Sequence, residues 1–145
     1  MKTIEIQIIN ADQSNTKILQ SSGTHGYWVK YQHPLVVGFC YFVPYNGHDI
    51  KVMKNYSVEI DQEKVINITN SAIKNYSIYY KPELDTYEAI GNVSFISYDE
   101  ELIIVSVQDM DFNISSQEYD ISDIKISDWL KIEIKGLTLW DEGIY

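Results

Sequence analysis

A period-two alternation of apolar and polar side chains is the feature that most constrains how this chain folds. Within residues 2–10, Ile4, Ile6 and Ile8 lie on one face, opposite polar side chains at positions 3, 5 and 7, which is the pattern of a half-buried β-strand. Residues 129–135 alternate in the same way before Gly136, where a bulge or a sharp bend is expected. The sequence therefore predicts strands near both ends of the chain.

The composition and the length favour a small β protein. Ile, Val and Tyr, which suit a pleated and half-buried surface, are frequent, whereas Ala is rare and Arg is absent. A chain of 145 residues is large enough for one hydrophobic core. We predict an all-β, mainly antiparallel fold in a single domain, 1–145, with two sub-halves, 1–82 and 83–145, as the alternative.

The middle of the chain gives further strand signals. The apolar run of residues 35–43 predicts a strand buried on both faces, and the Asn-Gly pair at residues 46–47 predicts a hairpin that returns along residues 49–60. Residues 70–90 favour an irregular segment or one short helix that ends before Pro82. A meander of paired strands is expected over residues 87–98, 101–108 and 110–114.

The segment "SDWLKIEIKGLTLWD", residues 127–141, carries a resemblance. Together with the strands before it, over residues 87–141, it resembles the closing half of small OB-like β-barrel domains, in which a Gly/Ser-Asp-aromatic turn starts the last strand. The resemblance implies a small OB-like or related β-barrel with at most one short helix.

The sequence contains no recognised catalytic or metal-binding motif. The chain has no glycine-rich phosphate loop, no Gly-x-Ser-x-Gly segment and no His-Glu-x-x-His segment. Cys40 lies in the apolar run and predicts a core residue rather than an activated thiol. Asp109 and Asp111 are typical of a solvated strand end. We expect no enzyme activity, no metal and no cofactor. The spacing of the three histidines, His25, His33 and His48, does not indicate a role for them.

The termini and the apolar segments bear on localisation. The first ten residues alternate and lack the apolar run and cleavage site of a secretion signal. The longest apolar stretch, residues 34–45, is shorter than the roughly 20 residues that a membrane helix needs. We therefore expect a cytoplasmic protein that does not enter a membrane.

Negative charge is concentrated in the second part of the chain. Residues 1–82 carry eight lysines and six acidic residues, whereas residues 83–145 carry three lysines and fifteen acidic residues, which gives net charges of +2 and −12. Dispersed carboxylates keep a β protein soluble. A segregated acidic surface also steers a basic partner towards aromatic anchors.

A small acidic β protein without a catalytic motif resembles the immunity proteins of bacterial toxin systems, including contact-dependent growth inhibition. That resemblance implies a non-catalytic protein that neutralises a cognate basic toxin, often a nuclease, through an acidic surface. We predict a partner-binding surface with charges and anchors at Asp123, Asp128, Asp141, Glu142, Trp140 and Tyr145.

Two other functions remain open from the sequence. The chain is alternatively an adaptor or structural module with a different protein partner. It is otherwise an OB-like binder of nucleic acid or a small ligand, which would use the aromatic face of residues 27–31. A net charge of −10 and the absence of arginine argue against nucleic acid, because phosphates would be repelled.

Overall fold

The computed structural model describes residues 2–19, 24–47 and 49–143. Over these ranges the chain forms strands β1 (Ile4–Leu19), β2 (Thr24–His33), β3 (Val36–Val43), β4 (Asn55–Asn70), β5 (Ser77–Lys81), β6 (Thr86–Ser97), β7 (Leu102–Val107), β8 (Met110–Ser115) and β9 (Trp129–Asp141). The only helix in the described ranges is the 3-10 turn Tyr45–Gly47. The predicted all-β, mainly antiparallel fold is confirmed.

The strands belong to two compact units. The first unit consists of Met1–Asp61 and Gly136–Tyr145, and the second unit is the intervening Gln62–Lys135. Strands β4 and β9 therefore contribute residues to both units. Whether the chain acts as a single domain stays a prediction. Within the described ranges, no helix has the length and apolar character needed to cross a membrane.

The first unit is a closed five-stranded barrel. β1 lies between β2 and β4, β3 follows β2, and β9 completes the ring between β3 and β4. The pairs β1–β2, β1–β4 and β2–β3 are antiparallel, whereas β3 and β9 are parallel over Tyr41–Thr138 to Val43–Trp140. This arrangement is compatible with an OB-like barrel, so the predicted small barrel is confirmed.

The barrel takes its strands from a different part of the chain than the resemblance implied. Of residues 87–141, only residues 136–141 of β9 lie in the barrel unit, and the barrel parts of the other four strands come from the first 61 residues. Gly136 has φ 73° where β9 enters the barrel unit, and Ser127 has φ 70° in the turn before β9. The closing strand was identified correctly. The strands that pair with it were not identified, because alternation indicates that a strand is half-buried but does not indicate which strand it pairs with.

Alternating residues of the barrel strands fill its core. Ile6 and Ile8 of β1, Tyr31 of β2 and Phe42 of β3 are at most 2 % exposed. Cys40 is buried beside them at 1 %, which confirms it as a core residue. On β3 the pattern alternates, so the prediction of burial on both faces is wrong: Phe39 and Tyr41 are only half-buried.

The Asn-Gly pair makes the predicted turn without the predicted hairpin. Asn46 and Gly47 have φ values of 50° and 70°, the left-handed backbone that both residues tolerate. The chain then continues to β4, whose described partner over Asn55–Val58 is β1, whereas β3 pairs with β2 and β9. The predicted pairing of residues 35–43 with 49–60 is therefore wrong, because the dipeptide specifies local backbone and not the path of the strand after it.

The second unit contains the predicted meander. β6, β7 and β8 pair in sequence as antiparallel strands, and the first part of β9 pairs antiparallel with β6 over Thr86–Lys135 to Asn92–Trp129. The core side chains Tyr87, Phe112, Ile132 and Ile134 are fully buried. The meander prediction is confirmed.

Residues 77–81 form a strand where an irregular segment or a helix was predicted. β5 pairs antiparallel with β6 from Ser77–Ile90 to Lys81–Thr86. Tyr80 and Tyr87, which are direct partners, place their ring centroids 4.8 Å apart. This cross-strand contact outweighs the weak local propensity of the segment, because packing against a neighbour is what stabilises a strand.

Gly91 of β6 gives a test of the second unit. An added Cβ would lie 2.9 Å from Val107 Cγ2 and would overlap the carbonyl group of Ser106. We expect Gly91→Ala to lower the free energy of unfolding by about 1–3 kcal/mol, because the backbone of β7 cannot move aside as a flexible side chain could. Urea unfolding measures this, with exposed Thr69→Ala on β4 as the control. An unchanged midpoint for Gly91→Ala would contradict the close approach of β6 and β7.

Candidate functional site

Three of the predicted partner-binding residues follow one another at the end of β9, in the barrel unit. Trp140 is half-buried, while Asp141 is only 7 % exposed. The Asp141 carboxylate accepts hydrogen bonds from the backbone N–H groups of Tyr45, at 3.3 Å, and Gly143, at 2.9 Å. Asp141 therefore fixes the end of β9 to the turn after β3, so its contribution to a binding surface is to hold its neighbours in place.

Trp140 lies in a cleft of about 520 Å³ in the barrel unit. The cleft is formed by the beginning of β2, the end of β3 and the end of β9, and its aromatic lining includes Tyr27, Tyr45 and Trp140. Tyr145, the second predicted anchor, lies outside the described residues. The role of both aromatic residues as anchors stays a prediction.

Glu142 belongs to a group of carboxylates on the barrel unit. Its backbone N–H donates to the carbonyl oxygen of Ser57 at 3.0 Å, which places Glu142 beside β4. Burial, a hydrogen bond with Glu142 and the negative charge of Glu142 raise the pKa of Glu59, and Asp61 adds to the shift. Glu59 and Glu142 therefore share a region of concentrated negative charge.

The other two predicted residues lie in the second unit, in the connection between β8 and β9. Asp123 is exposed. Asp128 accepts a hydrogen bond from the backbone N–H of Lys125 through its Oδ2 atom, at 2.9 Å, and its carbonyl oxygen accepts one from Val93 N–H. Asp128 thus stabilises the turn that begins β9, while the Asp123 side chain faces solvent.

One cleft of the second unit was not predicted from the sequence. It has a volume of about 570 Å³ and lies between two segments, residues 96–103 around the β6–β7 turn and residues 116–124 after β8. Its walls include the half-buried side chains of Ile96, Leu102, Ile121 and Ile124. Tyr98 stands at its edge and is 84 % exposed. We call this feature the acidic cleft, because all of its charged lining residues are carboxylates.

Those carboxylates are Glu101, Glu118 and Asp120, and no lysine or histidine is found among the described residues that line the cleft. Ser116 donates its hydroxyl to Glu101 at 3.1 Å, and the Ser115 backbone N–H donates to Glu118 at 3.2 Å. Hydrogen bonds from Ser122 lower the pKa of Asp120. Neutral donors therefore orient the carboxylates without cancelling their charge.

An aromatic face covers the outside of β2 and β3 in the barrel unit. The rings of Trp28 and Phe39 stack with centroids 6.2 Å apart, and Tyr41 meets Trp28 edge-on at 5.0 Å. The ammonium groups of Lys30 and Lys17 lie 6.0 Å and 5.7 Å from the Phe39 and Tyr41 ring centroids. The sequence suggested Trp28 as part of a stacking surface. It did not indicate that Phe39 and Tyr41 of β3 belong to the same face.

A buried ion pair lies in the second unit and was also missed from the sequence. Glu88 is 5 % exposed, and its carboxylate is 2.5 Å from Lys131 Nζ and 3.5 Å from Lys81 Nζ. The hydrogen bond and the charge of Glu88 raise the pKa of Lys131. A buried charge requires a partner of opposite sign. Glu88 is therefore paired with Lys81 and Lys131, and these two lysines do not offset negative charge elsewhere on this unit.

The histidines and the acidic pairs form no metal centre in the part of the chain that the structure describes. His33 is buried and its Nδ1 atom accepts a hydrogen bond from Leu35 N–H at 3.1 Å, whereas His25 is exposed. His48 lies outside the described residues. Asp111 accepts a hydrogen bond from the Ser106 hydroxyl at 2.8 Å.

Comparisons of the chain with protein-family models, with curated proteins and with solved structures gave no significant match.

The carboxylate pair on the barrel unit predicts a specific pH dependence. The folded-state pKa of Glu59 is raised above its ordinary value of 4.5, so the stability that protonated Glu59 contributes is present below that value and is lost as the pH rises through the raised pKa. Glu59→Gln should therefore raise the free energy of unfolding at pH 7, relative to the unmodified chain, by less than about 1 kcal/mol because solvent screens the pair.

Urea unfolding at pH 4 and pH 7 measures this effect. The matched control is Glu5→Gln on the neighbouring strand β1, where the side chain is exposed. An equal gain for both variants, or a gain for Glu59→Gln only at pH 4, would contradict the repulsion between Glu59 and Glu142.

Proposed function

We propose that this chain is a non-catalytic immunity protein, which neutralises a cognate basic bacterial toxin by binding it through an acidic surface. The observation that carries the proposal is the charge of the second unit: Gln62–Lys135 contains fourteen acidic residues and six lysines. Two of those lysines are already engaged by buried Glu88. The unit therefore presents a strong negative field to solvent.

A negative field of this kind has a defined physical use. It attracts a positively charged partner over distances of about a Debye length and raises the rate of encounter. Aromatic side chains then supply binding energy where they are desolvated. Asp123 and Glu142 are the proposed steering charges and Trp140 and Tyr145 the proposed anchors, while Asp128 and Asp141 hold the local backbone in position.

The experiment that tests this proposal starts with the full chain carrying an affinity tag. Proteins retained from lysate of the native organism are eluted with rising salt, and each basic protein is then expressed in a bacterial host alone and together with the chain. We expect one of them to arrest growth alone and the chain to restore growth. If no retained basic protein is toxic, or if co-expression leaves the arrest unchanged, the immunity function is wrong.

A second candidate function is supported by the aromatic face of β2 and β3. Stacked Trp28 and Phe39 rings with Lys30 beside them provide the combination of a stacking surface and a cation that binds single-stranded nucleic acid. The small number of cations limits this function, since phosphate contacts need several lysines or arginines for counterion release.

Fluorescence anisotropy with a labelled oligothymidylate at low salt tests this second function. If it is correct, the chain binds the oligonucleotide and Trp28→Ala weakens binding by about tenfold or more, since one stacked base contributes about 1–3 kcal/mol. Phe95→Ala, an equally drastic change at a half-exposed aromatic residue of the second unit, is the control. Equal affinities for the two variants, or no binding, would exclude this face as a nucleic-acid site.

A further inference from the structure

The acidic cleft of the second unit combines an apolar lining with charges of one sign. We propose that this cleft binds a lysine- or arginine-rich peptide segment that inserts one large apolar side chain between the residues 96–103 and 116–124. The inference rests on the proposed function, which supplies a basic protein partner, and it identifies the part of the surface that such a partner would contact.

The size and lining of the cleft suit an inserted side chain. Its volume of about 570 Å³ falls within the range of about 300–1,000 Å³ that is usual for ligand pockets. Leu102 and Ile124 are half-buried in its walls, so an apolar side chain entering between them would remove further apolar surface from water. The ring of Tyr98, 84 % exposed at the edge, offers its face to a cation.

The charge of the rim selects a basic segment. Glu101, Glu118 and Asp120 line the cleft together with its apolar side chains. A neutral apolar occupant would strip water from these carboxylates without replacing it, which is costly. An acidic or phosphate-bearing occupant would be repelled. Lysine and arginine side chains, in contrast, form charge-assisted hydrogen bonds with carboxylates.

The rim is also fixed before a ligand arrives. Glu118 accepts hydrogen bonds from Ser115 N–H, at 3.2 Å, and from Gln62 Nε2, at 3.3 Å. Asp120 accepts hydrogen bonds from both the backbone N–H and the hydroxyl of Ser122, at 3.1 and 2.7 Å. Because these side chains are already oriented, less conformational freedom is lost when a cation binds.

The test uses three synthetic peptides and the full chain labelled with ¹⁵N. The probe is Lys-Lys-Leu-Phe-Lys-Lys, the charge control is Glu-Glu-Leu-Phe-Glu-Glu and the anchor control is Lys-Lys-Ser-Ser-Lys-Lys. We expect the probe to shift the amide resonances of residues 96–103 and 116–124. The anchor control should bind about tenfold more weakly or worse, since it buries no large apolar side chain, and the charge control should not bind.

Matched variants separate the cleft from the general acidity of the unit. Glu101→Gln with Glu118→Gln removes two charges from the rim, and Glu83→Gln with Asp109→Asn removes two charges from other turns of the same unit. The rim pair should weaken probe binding by about tenfold, and the control pair should leave it nearly unchanged. Equal effects of the two pairs, or shifts centred outside the cleft, would overturn the inference.

A second pair of variants tests the apolar lining. Leu102→Ser removes a lining side chain, and Leu84→Ser makes the same change at a residue that is 59 % exposed and lies outside the cleft. Only Leu102→Ser should reduce probe affinity. If Leu102→Ser fails to fold, the shift map of the unmodified chain still decides whether the probe occupies the cleft.

The failure of this inference can be told apart from the failure of the proposed function. If the rim pair Glu101→Gln with Glu118→Gln still restores growth against a toxic basic partner, the immunity function holds and the cleft is not its site. If the probe occupies the cleft but no basic partner is toxic, the cleft is a basic-peptide site and the immunity function is wrong.

Discussion

The parallel pairing of β3 with β9 is the interaction on which the rest of the structure depends. Without it the strands of residues 1–61 would form an open sheet with β3 at the edge, and exposed edges of this kind pair with other chains. Parallel neighbours require a long connection between them. Here that connection includes all of Gln62–Lys135, so the second unit forms part of the chain that leads from β3 to the barrel part of β9.

Buried carboxylates and the carboxylates of the acidic cleft have different partners, and the functional proposal depends on this difference. Where a carboxylate is buried, as at Glu88, two lysines surround it, and at Asp141 backbone N–H groups do so. At the acidic cleft, serine hydroxyls and backbone groups hold the carboxylates instead. A neutral donor satisfies the geometry of a carboxylate and leaves its net charge in place. The cleft therefore keeps a negative potential, which attracts positively charged groups.

Much of the fold followed from residues close together in the chain. The alternation of Ile4, Ile6 and Ile8 predicts the first strand, and the segments of the β6–β8 meander are separated by short turns. Strand β5 was missed because its stability comes from pairing with β6, as the Tyr80–Tyr87 contact shows. The pairing of β3 with β9 was missed because β9 lies almost a hundred residues further along the chain, beyond the reach of any local signal.

The candidate sites were harder to predict for a related reason. The sequence shows that acidic residues are concentrated after position 82. It does not show the acidic cleft, because the cleft forms only when two separate segments come together in the fold. One of those segments also contains the turn in which Glu101 has φ 52°. Nothing in the sequence distinguishes Asp141 from exposed Asp123. In the structure, however, the Asp141 carboxylate is buried and accepts a hydrogen bond from the backbone N–H of Gly143. Sequence position shows which charges exist, and only the fold shows which of them face solvent.

The measurement that tests the central claim most directly is the association rate constant of the full chain with its purified basic partner, followed by stopped-flow tryptophan fluorescence across a range of salt concentrations. Between about 0.01 M and about 1 M NaCl the Debye length falls from about 30 Å to about 3 Å. If the proposed basic partner exists and the acidic surface steers it, the rate constant should fall by about tenfold or more over this range while dissociation changes less. A rate constant that is independent of salt would contradict the account.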